Sequence, residues 1–412
     1  YTPGYIVEYI VQHTVGALGE GKTPKQIAKL TVLDPACGSG SFLIGAYRYL
    51  LTYHRDWYVK DGPEKHRKEL FQAASGEWRL TTQEKKRILL NNIYGVDIDS
   101  QAVEVTKLSL LLKVLEGESD ETLKRQLSFV HERALPDLGQ NIKCGNSLIG
   151  PDYFAGQLMP DEDEMRRVNP FDWQAEFPEI MKAGGFDAVI GNPPYIRIQR
   201  IEHADSDYIF RTYDSPTSKM DLSLVFLEKG LKLVKEAARV GFICTSQWLT
   251  ANYGQNLRRM FSIGSLHEIV DFGSLPVFQN ADTYPSIFIL SPSTVKNLNY
   301  KNIISENQLN LDAIEAAPST QIAFSTLSDA PWSLGGLDIL GILQGANVAW
   351  RPLGEFGRAY IGCKTGMNEA FVVSRAQART LHLEKSIMLP YALHGEEINR
   401  YTVVEPSALL IY

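Results

Sequence analysis

From Thr31 to Leu290, short apolar runs alternate with longer stretches in which apolar residues recur at helical spacing. The runs that predict strands are Thr31–Leu33, Ile93–Val96, Phe186–Ile190, Val240–Cys244, Glu268–Val270 and Ser286–Leu290. Helical patterns follow several of them, over Phe42–Leu51, Gln101–Leu115 and Asp221–Ala238. This alternation predicts an α/β fold with a doubly wound, mostly parallel sheet and helices on both faces. Because no helical pattern separates the last two runs, we expect them to form an antiparallel pair.

The pattern also predicts how the chain divides into domains. Residues 52–90 are charged and mostly helical in pattern, which indicates an insertion between the first two strands, and the acidic stretch 156–167 predicts a loop. After Leu290 the sequence becomes rich in Asn and Ser. We therefore expect a first domain over 1–295, a connecting segment over 296–345 and the start of a second domain over 346–412. Since the chain begins with Tyr and ends in a strand-like segment, we expect a truncated part of a longer protein.

Charge and cysteine content narrow the classes of function. The net charge is −7, which is unfavourable for a DNA-binding protein, although a cleft can be basic on an acidic molecule. Far-apart cysteines at 37, 144, 244 and 363, and no histidine pair at ligand spacing, predict no metal site or disulfide framework and favour the cytoplasm. No segment has the apolar length of a membrane span and no signal peptide opens the chain, so we expect no membrane partner.

The segment DPACGSGSF at 34–42 follows the first predicted strand and opens a helix. Gly38 and Gly40 permit a tight turn and a close approach of backbone to ligand. Asp34 lies at the carboxyl end of the strand, where an acid suits an amino group better than a phosphate. Because the dinucleotide fingerprint is broken at Leu43 and no P-loop lysine is present, the segment favours the methionine part of S-adenosylmethionine. A glycine-rich turn that only connects a strand to a helix is the alternative.

Two further segments are candidates for the same ligand. The second strand runs into Asp97 and Asp99, and a carboxylate at the end of this strand commonly accepts hydrogen bonds from a ribose diol. We assign Asp97 to the ribose and Asp99 to the N-cap of the following helix, with a solvated acid in a turn as the alternative. In the segment CGNSL at 144–148, Asn146 can lie by the adenine ring of the cofactor, or the segment can be an ordinary turn.

The segment FDAVIGNPPY at 186–195 joins a buried strand to an amide side chain and two prolines. Prolines lack N–H donors, so their carbonyls remain as acceptors. The Asn192 side-chain oxygen and the Pro193 carbonyl can each accept one hydrogen of a planar NH2 group. Two such acceptors favour sp3 geometry at the nitrogen and free its lone pair for attack on a methyl group. Tyr195 can stack on a flipped base. A rigid turn with an incidental aromatic is the alternative.

DPACGSGSF and NPPY, in this order, resemble the motifs of the gamma-class N6-adenine DNA methyltransferases. The resemblance covers residues 1–290 and implies an S-adenosylmethionine-dependent methyltransferase fold with double-stranded DNA as partner. The cofactor residues that it implies, together with the two loop glycines, are Thr2, Asp34, Ala36, Gly38, Gly40, Asp97, Ile98 and Asn146. The catalytic residues are Asn192, Pro193, Pro194 and Tyr195, and Phe278 packs against the flipped adenine or is an ordinary core aromatic. Many members of this family carry Asp at the position of Asn146.

The tail carries a second resemblance. GCKTGMNEAF at 362–371 and HGEEINRY at 394–401 are similar to the start of the target-recognition domain of type IIG restriction-modification enzymes, which join nuclease, methyltransferase and recognition domain in one chain. An unrelated β-rich domain is the alternative. No nuclease constellation is present in these residues, so any nuclease domain of the full-length chain lies outside them. Phage-defence methyltransferases without a nuclease share the pattern.

The sequence therefore predicts methyl transfer to the N6 amino group of adenine in a specific DNA sequence. A methyltransferase for ribosomal RNA or for a protein glutamine amide faces the same NH2 chemistry and is the alternative enzyme. A non-catalytic DNA-binding module is the alternative of another class. The basic residues expected near a DNA cleft are Arg197, Arg200, Lys219, Arg258 and Arg259, each of which is equally compatible with a solvated surface charge.

Overall fold

The computed structural model describes residues 2–73, 75–116, 136–156, 159, 161–217, 219–278, 284–336, 371–391 and 408–411. The chain divides into two compact units, residues 1–339 and residues 340–412. Within the described residues, no helix combines the length and the apolar character that crossing a membrane requires.

A nine-stranded sheet forms the centre of the first unit. The strands of this unit are β1 (Val32–Asp34), β2 (Leu70–Gln72), β3 (Trp78–Leu80), β4 (Ile93–Asp97), β5 (Ile142–Cys144), β6 (Phe186–Gly191), β7 (Val234–Thr245), β8 (Leu266–Asp271), β9 (Pro285–Leu290), β10 (Asn297–Asn302) and β11 (Ser319–Ala323). β2 and β3 form a separate hairpin, and the other strands lie in the order β11-β10-β8-β9-β7-β6-β1-β4-β5. The strands from β7 to β5 are parallel. β9 is antiparallel to β7 and β8, which confirms the predicted antiparallel pair.

Helices pack on both faces of this sheet. They are α1 (Gly4–Val11), α2 (Ala17–Gly19), α3 (Pro24–Ile27), α4 (Ser41–Asp61), α5 (Thr82–Asn92), α6 (Ser100–Leu115), α7 (Glu162–Val168), α8 (Trp173–Glu176), α9 (Pro178–Lys182), α10 (His203–Thr212), α11 (Leu222–Lys232), α12 (Gln255–Phe261) and α13 (Leu311–Ala316). Alternate side chains of a strand point to opposite faces. Ala188 and Ile190 accordingly belong to the apolar cluster of α1 and α4, and Val189 belongs to the cluster of α11. This confirms the predicted α/β fold.

Two predicted elements were wrong. The helix expected over Asp221–Ala238 ends at Lys232, and β7 begins at Val234, because Val234 pairs with Phe186 of the neighbouring strand. Strand pairing here overrides the helical pattern of the sequence. Part of the loop expected over 156–167 is helix α7, whose N-cap Asp161 accepts a hydrogen bond from the Asp163 N–H. The insertion 52–90 contains the end of α4, the β2–β3 hairpin and most of α5.

The sheet continues past residue 295. β10 pairs in parallel with β8, and β11 pairs with β10, so the described part of the expected connecting segment supplies two strands of the sheet. The second unit contains β12 (Val372–Ser374), α14 (Arg375–Thr380), β13 (Met388–Tyr391) and β14 (Ala408–Ile411), with strand order β12-β14-β13. Cys363 and the segments 362–370 and 394–401, which carry the second resemblance, lie outside the described residues.

Arg258 is a buried residue that stabilises the first unit. It is 1% exposed, and its guanidinium donates hydrogen bonds to the carbonyl oxygens of Trp248, Ala251 and Asp329. Its neighbour Arg259 is 65% exposed and lies 3.6 Å from a carboxylate oxygen of Asp329. The expectation that Arg258 faces a DNA cleft was wrong, because all of these contacts hold the loop around Trp248 against helix α12 and the segment near Asp329.

We expect Arg258→Ala to lower the free energy of unfolding by about 3 kcal/mol, because several buried carbonyl groups lose their donor. Arg259→Ala is the matched control, with an expected change below about 0.5 kcal/mol because exposed ion pairs contribute little. Urea unfolding followed by circular dichroism measures both. Equal effects of the two substitutions contradict a structural role for Arg258.

Candidate active site

Four adjacent strands end at the same edge of the sheet. β6, β1, β4 and β5 are parallel neighbours, and a polar residue lies at or just after each carboxyl end: Asn192, Asp34, Asp97 and Asn146. From β1 the chain continues outward to β4 and β5 on one side and to β6 and β7 on the other. Sheets of this kind bind ligands at the carboxyl ends where the strand order reverses. The topology therefore brings four predicted site residues to one place.

A cavity of about 430 Å3 lies at this edge, which is within the size range of small-molecule sites. The residues that line it on the polar side include Asp97, Asn146, Ser147, Asn192 and Asp205. Its apolar wall includes Ile98, Leu148, Ile149, Pro194, Ile196, Ile201, Ile209, Leu222 and Phe226. The cavity thus combines a largely apolar wall with a few polar groups at the strand ends.

The glycine loop after β1 borders this cavity. Ala36 and Gly38 line it, and the Gly38 N–H donates a 2.7 Å hydrogen bond to an Asp97 carboxylate oxygen. Gly38 and Gly40 have φ angles of 52° and 83°, which side chains with a Cβ rarely adopt. A Cβ on Gly40 would lie 3.0 Å from Thr106, so Gly40 contributes close packing against helix α6. The loop geometry therefore requires both glycines.

Asp34 is buried next to Gly191, the residue that precedes Asn192. Its carboxyl group is 2% exposed and accepts a 3.0 Å hydrogen bond from the Ala36 N–H. A Cβ on Gly191 would lie 2.7 Å from the same carboxylate oxygen, so only glycine fits there without displacing Asp34. Burial raises the pKa of Asp34 from 3.8 to about 8; the Ala36 N–H opposes this shift and the Asp97 carboxylate adds to it. A cationic group near Asp34 would favour its charged form.

Asp97 and Asp99 have different partners. One oxygen of Asp97 accepts from Gly38, and the other accepts from the Asp99 N–H at 2.9 Å. Asp99 accepts from the Gln101 N–H at 2.9 Å and is the N-cap of helix α6, as predicted. Each carboxylate oxygen can accept a second hydrogen bond. Asp97 therefore shapes the glycine loop and still has acceptor capacity toward the cavity, where exposed Ile98 adds apolar surface.

Asn146 lies in a turn and also lines the cavity. Its side-chain oxygen accepts from the Leu148 N–H at 3.1 Å, and its own N–H donates to the Asn169 carbonyl. Its predecessor Gly145 is necessary because the Phe171 ring lies 2.4 Å from where a Cβ would be. A turn at residues 144–148 and a position of Asn146 beside the cofactor's adenine ring are therefore compatible interpretations.

One end of the Asn192 amide has a hydrogen-bond partner, and the other end has none among the described residues. Its Nδ2 group donates a 3.0 Å hydrogen bond to the Thr2 hydroxyl, which is itself buried. Its Oδ1 atom is buried and has no hydrogen-bond partner among the described residues. A buried acceptor without a donor is unfavourable and rare in folded proteins. A hydrogen-bond donor of a ligand in the adjacent cavity would satisfy this atom.

Tyr195 and Phe278, which were each predicted to contact a target base, lie next to each other. The rings of Tyr195 and Phe278 lie edge to face, with centroids 6.1 Å apart and planes at 69°. The Tyr195 hydroxyl is buried and has no hydrogen-bond partner in the described part of the chain. Residues 279–283, which follow Phe278, lie outside the described residues. The two rings come from the ends of different strands, so their contact depends on the tertiary fold.

Sequence reasoning missed part of the cavity wall. Asp205 of α10 and Phe226 of α11 line the cavity, and Asp205 is held by a 2.7 Å ion pair with Arg167. Neither residue belongs to a recognisable motif, since only the packing of their helices brings them there. Of the expected basic residues, Arg197, Arg200 and Lys219 are exposed. No group of three His, Cys, Asp or Glu side chains is arranged for a metal ion within the described ranges.

Comparison with known proteins agrees with this geometry. Residues 91–278 match the family described as Eco57I restriction-modification methylase, and residues 1–132 match the N-6 DNA Methylase family. The chain is 28% identical over its whole length to the type II restriction enzyme and methyltransferase RM.Eco57I of Escherichia coli, of which it covers 41%. It is 24% identical to the adenine-specific methyltransferase PglX of Streptomyces coelicolor, over 62% of this chain and 20% of PglX.

The two family matches and the named relatives support an N6-adenine DNA methyltransferase of restriction-modification type.

Solved structures show the same fold. The type IIL restriction-modification enzyme MmeI in complex with DNA matches with a TM-score of 0.55 at 13% identity, over 99% of this chain and 49% of MmeI. A nuclease-deletion mutant of the type ISP enzyme LlaGI matches with a TM-score of 0.52, over 78% of this chain and 26% of that one. The chain spans less than half the length of these relatives. The matched methyltransferase families imply a methyl donor.

We expect Asp34→Asn to change how stability depends on pH. In the unfolded chain Asp34 ionises near its ordinary pKa of 3.8, whereas in the folded protein its pKa is about 8. The wild type therefore loses stability as pH rises from about 4 to about 8, because only the unfolded chain ionises readily. The Asn variant lacks this loss. Its free energy of unfolding should therefore increase relative to that of wild type as pH rises across that range.

Urea unfolding at pH 5, 6, 7 and 8 without cofactor measures this difference. Asp99→Asn is the control, because Asn also serves as an N-cap. Parallel stability curves for wild type and Asp34→Asn contradict the raised pKa of the buried carboxyl group.

Proposed function

We propose that this protein transfers a methyl group from S-adenosylmethionine to the N6 amino group of adenine in a specific DNA sequence. The observation that carries the proposal is the buried Asn192 Oδ1 atom, which has no partner among the described residues and lies beside a cavity at the strand ends. An exocyclic amino group supplies the missing donor. The matched family and the names of the relatives support adenine as the base that carries this amino group.

The cavity residues fit S-adenosylmethionine in the proposed assignment. Asp97 has free acceptor capacity for the ribose hydroxyls, and Ile98 and Leu148 provide apolar surface beside Asn146 for the adenine ring. Asp34 lies at the loop of Ala36 and Gly38, where the cofactor's ammonium group would favour the charged carboxylate. When bound, this cofactor supplies an electrophilic methyl group on a sulfonium. No charged phosphate needs to be accommodated, which agrees with two acids at the strand ends.

The chain's own groups prepare the target nitrogen. Asn192 Oδ1 and the Pro193 carbonyl accept hydrogen bonds from the two amino N–H groups and hold the nitrogen in place as positive charge develops on it. The methylated nitrogen then loses its extra proton to water. Prolines at 193 and 194 cannot compete as N–H donors and keep the loop rigid. The Tyr195–Phe278 pair offers an aromatic surface for an adenine taken out of the duplex. Catalysis then rests on orientation and electrostatics rather than on a strong base.

For the full-length protein we also propose a partner and further domains. MmeI is described in complex with DNA, and we propose double-stranded DNA as the partner here, in the cytoplasm. We propose that the second unit begins a target-recognition domain and that a nuclease domain belongs to the same full-length protein. The alternative substrates, ribosomal RNA and a glutamine amide, find no support in the names of the relatives.

The direct test is to identify the product. Full-length protein is incubated with plasmid DNA and S-adenosylmethionine carrying a labelled methyl group, and the nucleosides are separated and analysed by mass spectrometry. We expect the label in N6-methyladenine. Label in methylcytosine, or only in added RNA or in protein, contradicts the proposed function.

Asn192→Ala should abolish methyl transfer and leave cofactor binding nearly unchanged, because its oxygen acts on the target amino group. A rate reduction of at least about 100-fold is expected, a barrier increase near 3 kcal/mol. Calorimetry with S-adenosylmethionine and the mass-spectrometric product assay measure the two effects. Asn302→Ala, at an exposed residue that ends β10, is the matched control. Activity of Asn192→Ala within about tenfold of wild type would place the acceptor elsewhere.

A further inference from the structure

A second acidic side chain lines the cavity at a place away from the strand ends. Among the described residues of the cavity wall, the acids are Asp97 at the end of β4 and Asp205 on helix α10. Ile209, four positions further along α10, also lines the cavity. Because residues four apart lie on the same side of a helix, Asp205 is on the side of α10 that faces the cavity. A mostly buried acid on this apolar side needs hydrogen-bond partners.

Three donated hydrogen bonds hold the Asp205 carboxylate. Its Oδ1 atom accepts from the Tyr153 hydroxyl at 2.9 Å and from one terminal nitrogen of Arg167 at 3.1 Å. Its Oδ2 atom accepts from the other terminal nitrogen of Arg167 at 2.7 Å. Pairing through two hydrogen bonds to arginine fixes the orientation of a carboxylate. Each carboxylate oxygen can accept two hydrogen bonds, so the described contacts leave Oδ2 able to accept one more.

Helix α10 lies against the segment that follows β5. The Gly150 N–H donates a 3.1 Å hydrogen bond to the Tyr208 hydroxyl, and the hydroxyl of Tyr213, the C-cap of α10, donates to the Leu148 carbonyl at 2.9 Å. Tyr153, which donates to the Asp205 carboxylate, belongs to the same segment. Asp205 is therefore at the β5 end of the cavity, where the proposed function places the adenine ring of the cofactor.

We propose that Asp205 is a specificity-determining residue that accepts a hydrogen bond from the exocyclic amino group of the cofactor's adenine ring. This inference rests on the proposed function and adds the group that selects adenine over other purines in the cofactor. An ionised carboxylate only accepts hydrogen bonds, so a purine without an amino group offers it no donor at that position. A site built to bind an amino group discriminates strongly against an analogue that lacks it, because the buried acceptor then stays unpaired.

The alternative is that Asp205 only fastens α10 to Arg167 and Tyr153. The two roles differ in a measurable way. Loss of a fastening contact disturbs the cavity wall and weakens the binding of every cofactor analogue alike. Loss of the acceptor weakens the binding of adenine analogues alone, so the ratio between two analogues changes.

The experiment uses S-adenosylhomocysteine and its analogue with unsubstituted purine in place of adenine, which differ only in the exocyclic amino group. Calorimetry measures both dissociation constants in the full-length protein. We expect wild type to bind the adenine compound about 30-fold more tightly, and Asp205→Ala to lower this ratio to about threefold or less. Thermal unfolding establishes that each variant is folded. Asp205→Asn, which removes the charge at nearly constant size, replaces Asp205→Ala if the latter does not fold and should lower the ratio in the same direction.

Arg167→Ala is the matched control, because it breaks the same ion pair and keeps the carboxylate. Its ratio should remain at least about tenfold, even if both compounds bind more weakly. Three results overturn the role of Asp205: a wild-type ratio below about threefold, an unchanged ratio in the folded Asp205 variant, or an equal loss of the ratio in Arg167→Ala. Folded wild-type protein that binds neither compound contradicts the cofactor of the proposed function itself, so the two failures are distinguishable.

Discussion

The parallel pairing of β1 with β4 on one side and β6 on the other determines where the central candidate site residues lie. It brings the glycine loop after Asp34, the carboxylate of Asp97 and the amide of Asn192 to one edge, although long segments separate them in the sequence. Parallel strands need crossover connections, and here helices α4, α6 and α11 begin at this same edge. Leu222, the first residue of α11, lines the cavity.

The site contains polar groups that folding alone does not satisfy. Asn192 Oδ1 and the Tyr195 hydroxyl are buried without partners among the described residues, and Asp34 is a buried carboxyl group with a raised pKa. Each of these lowers the stability of the free protein. They are close together in the fold, at strand ends next to an open cavity, which is where ligand groups can compensate for them. The groups that are proposed to act in the reaction therefore lower the stability of the free protein.

Local motifs carried most of the sequence-based predictions. The DPACGSGSF segment contains the end of β1, and the NPPY segment directly follows the end of β6. Their location at the sheet edge therefore followed from the alternation of strands and helices. Two kinds of feature were not accessible in this way. The helix pattern over Asp221–Ala238 was broken by pairing of Val234 with Phe186, and the cavity wall includes Asp205 and Phe226. Both result from tertiary packing. Arg258 was misassigned because its sequence neighbours do not reveal that buried carbonyl groups surround it.

In the proposed function, the amino group of a target adenine satisfies the free oxygen of Asn192. The most direct measurement is a structure of the full-length protein bound to duplex DNA and sinefungin, an unreactive analogue of S-adenosylmethionine. We predict a flipped adenine whose amino nitrogen lies within hydrogen-bond distance, about 3 Å, of both Asn192 Oδ1 and the Pro193 carbonyl oxygen. A structure in which Asn192 Oδ1 instead contacts only protein or water, with the adenine elsewhere, would contradict it.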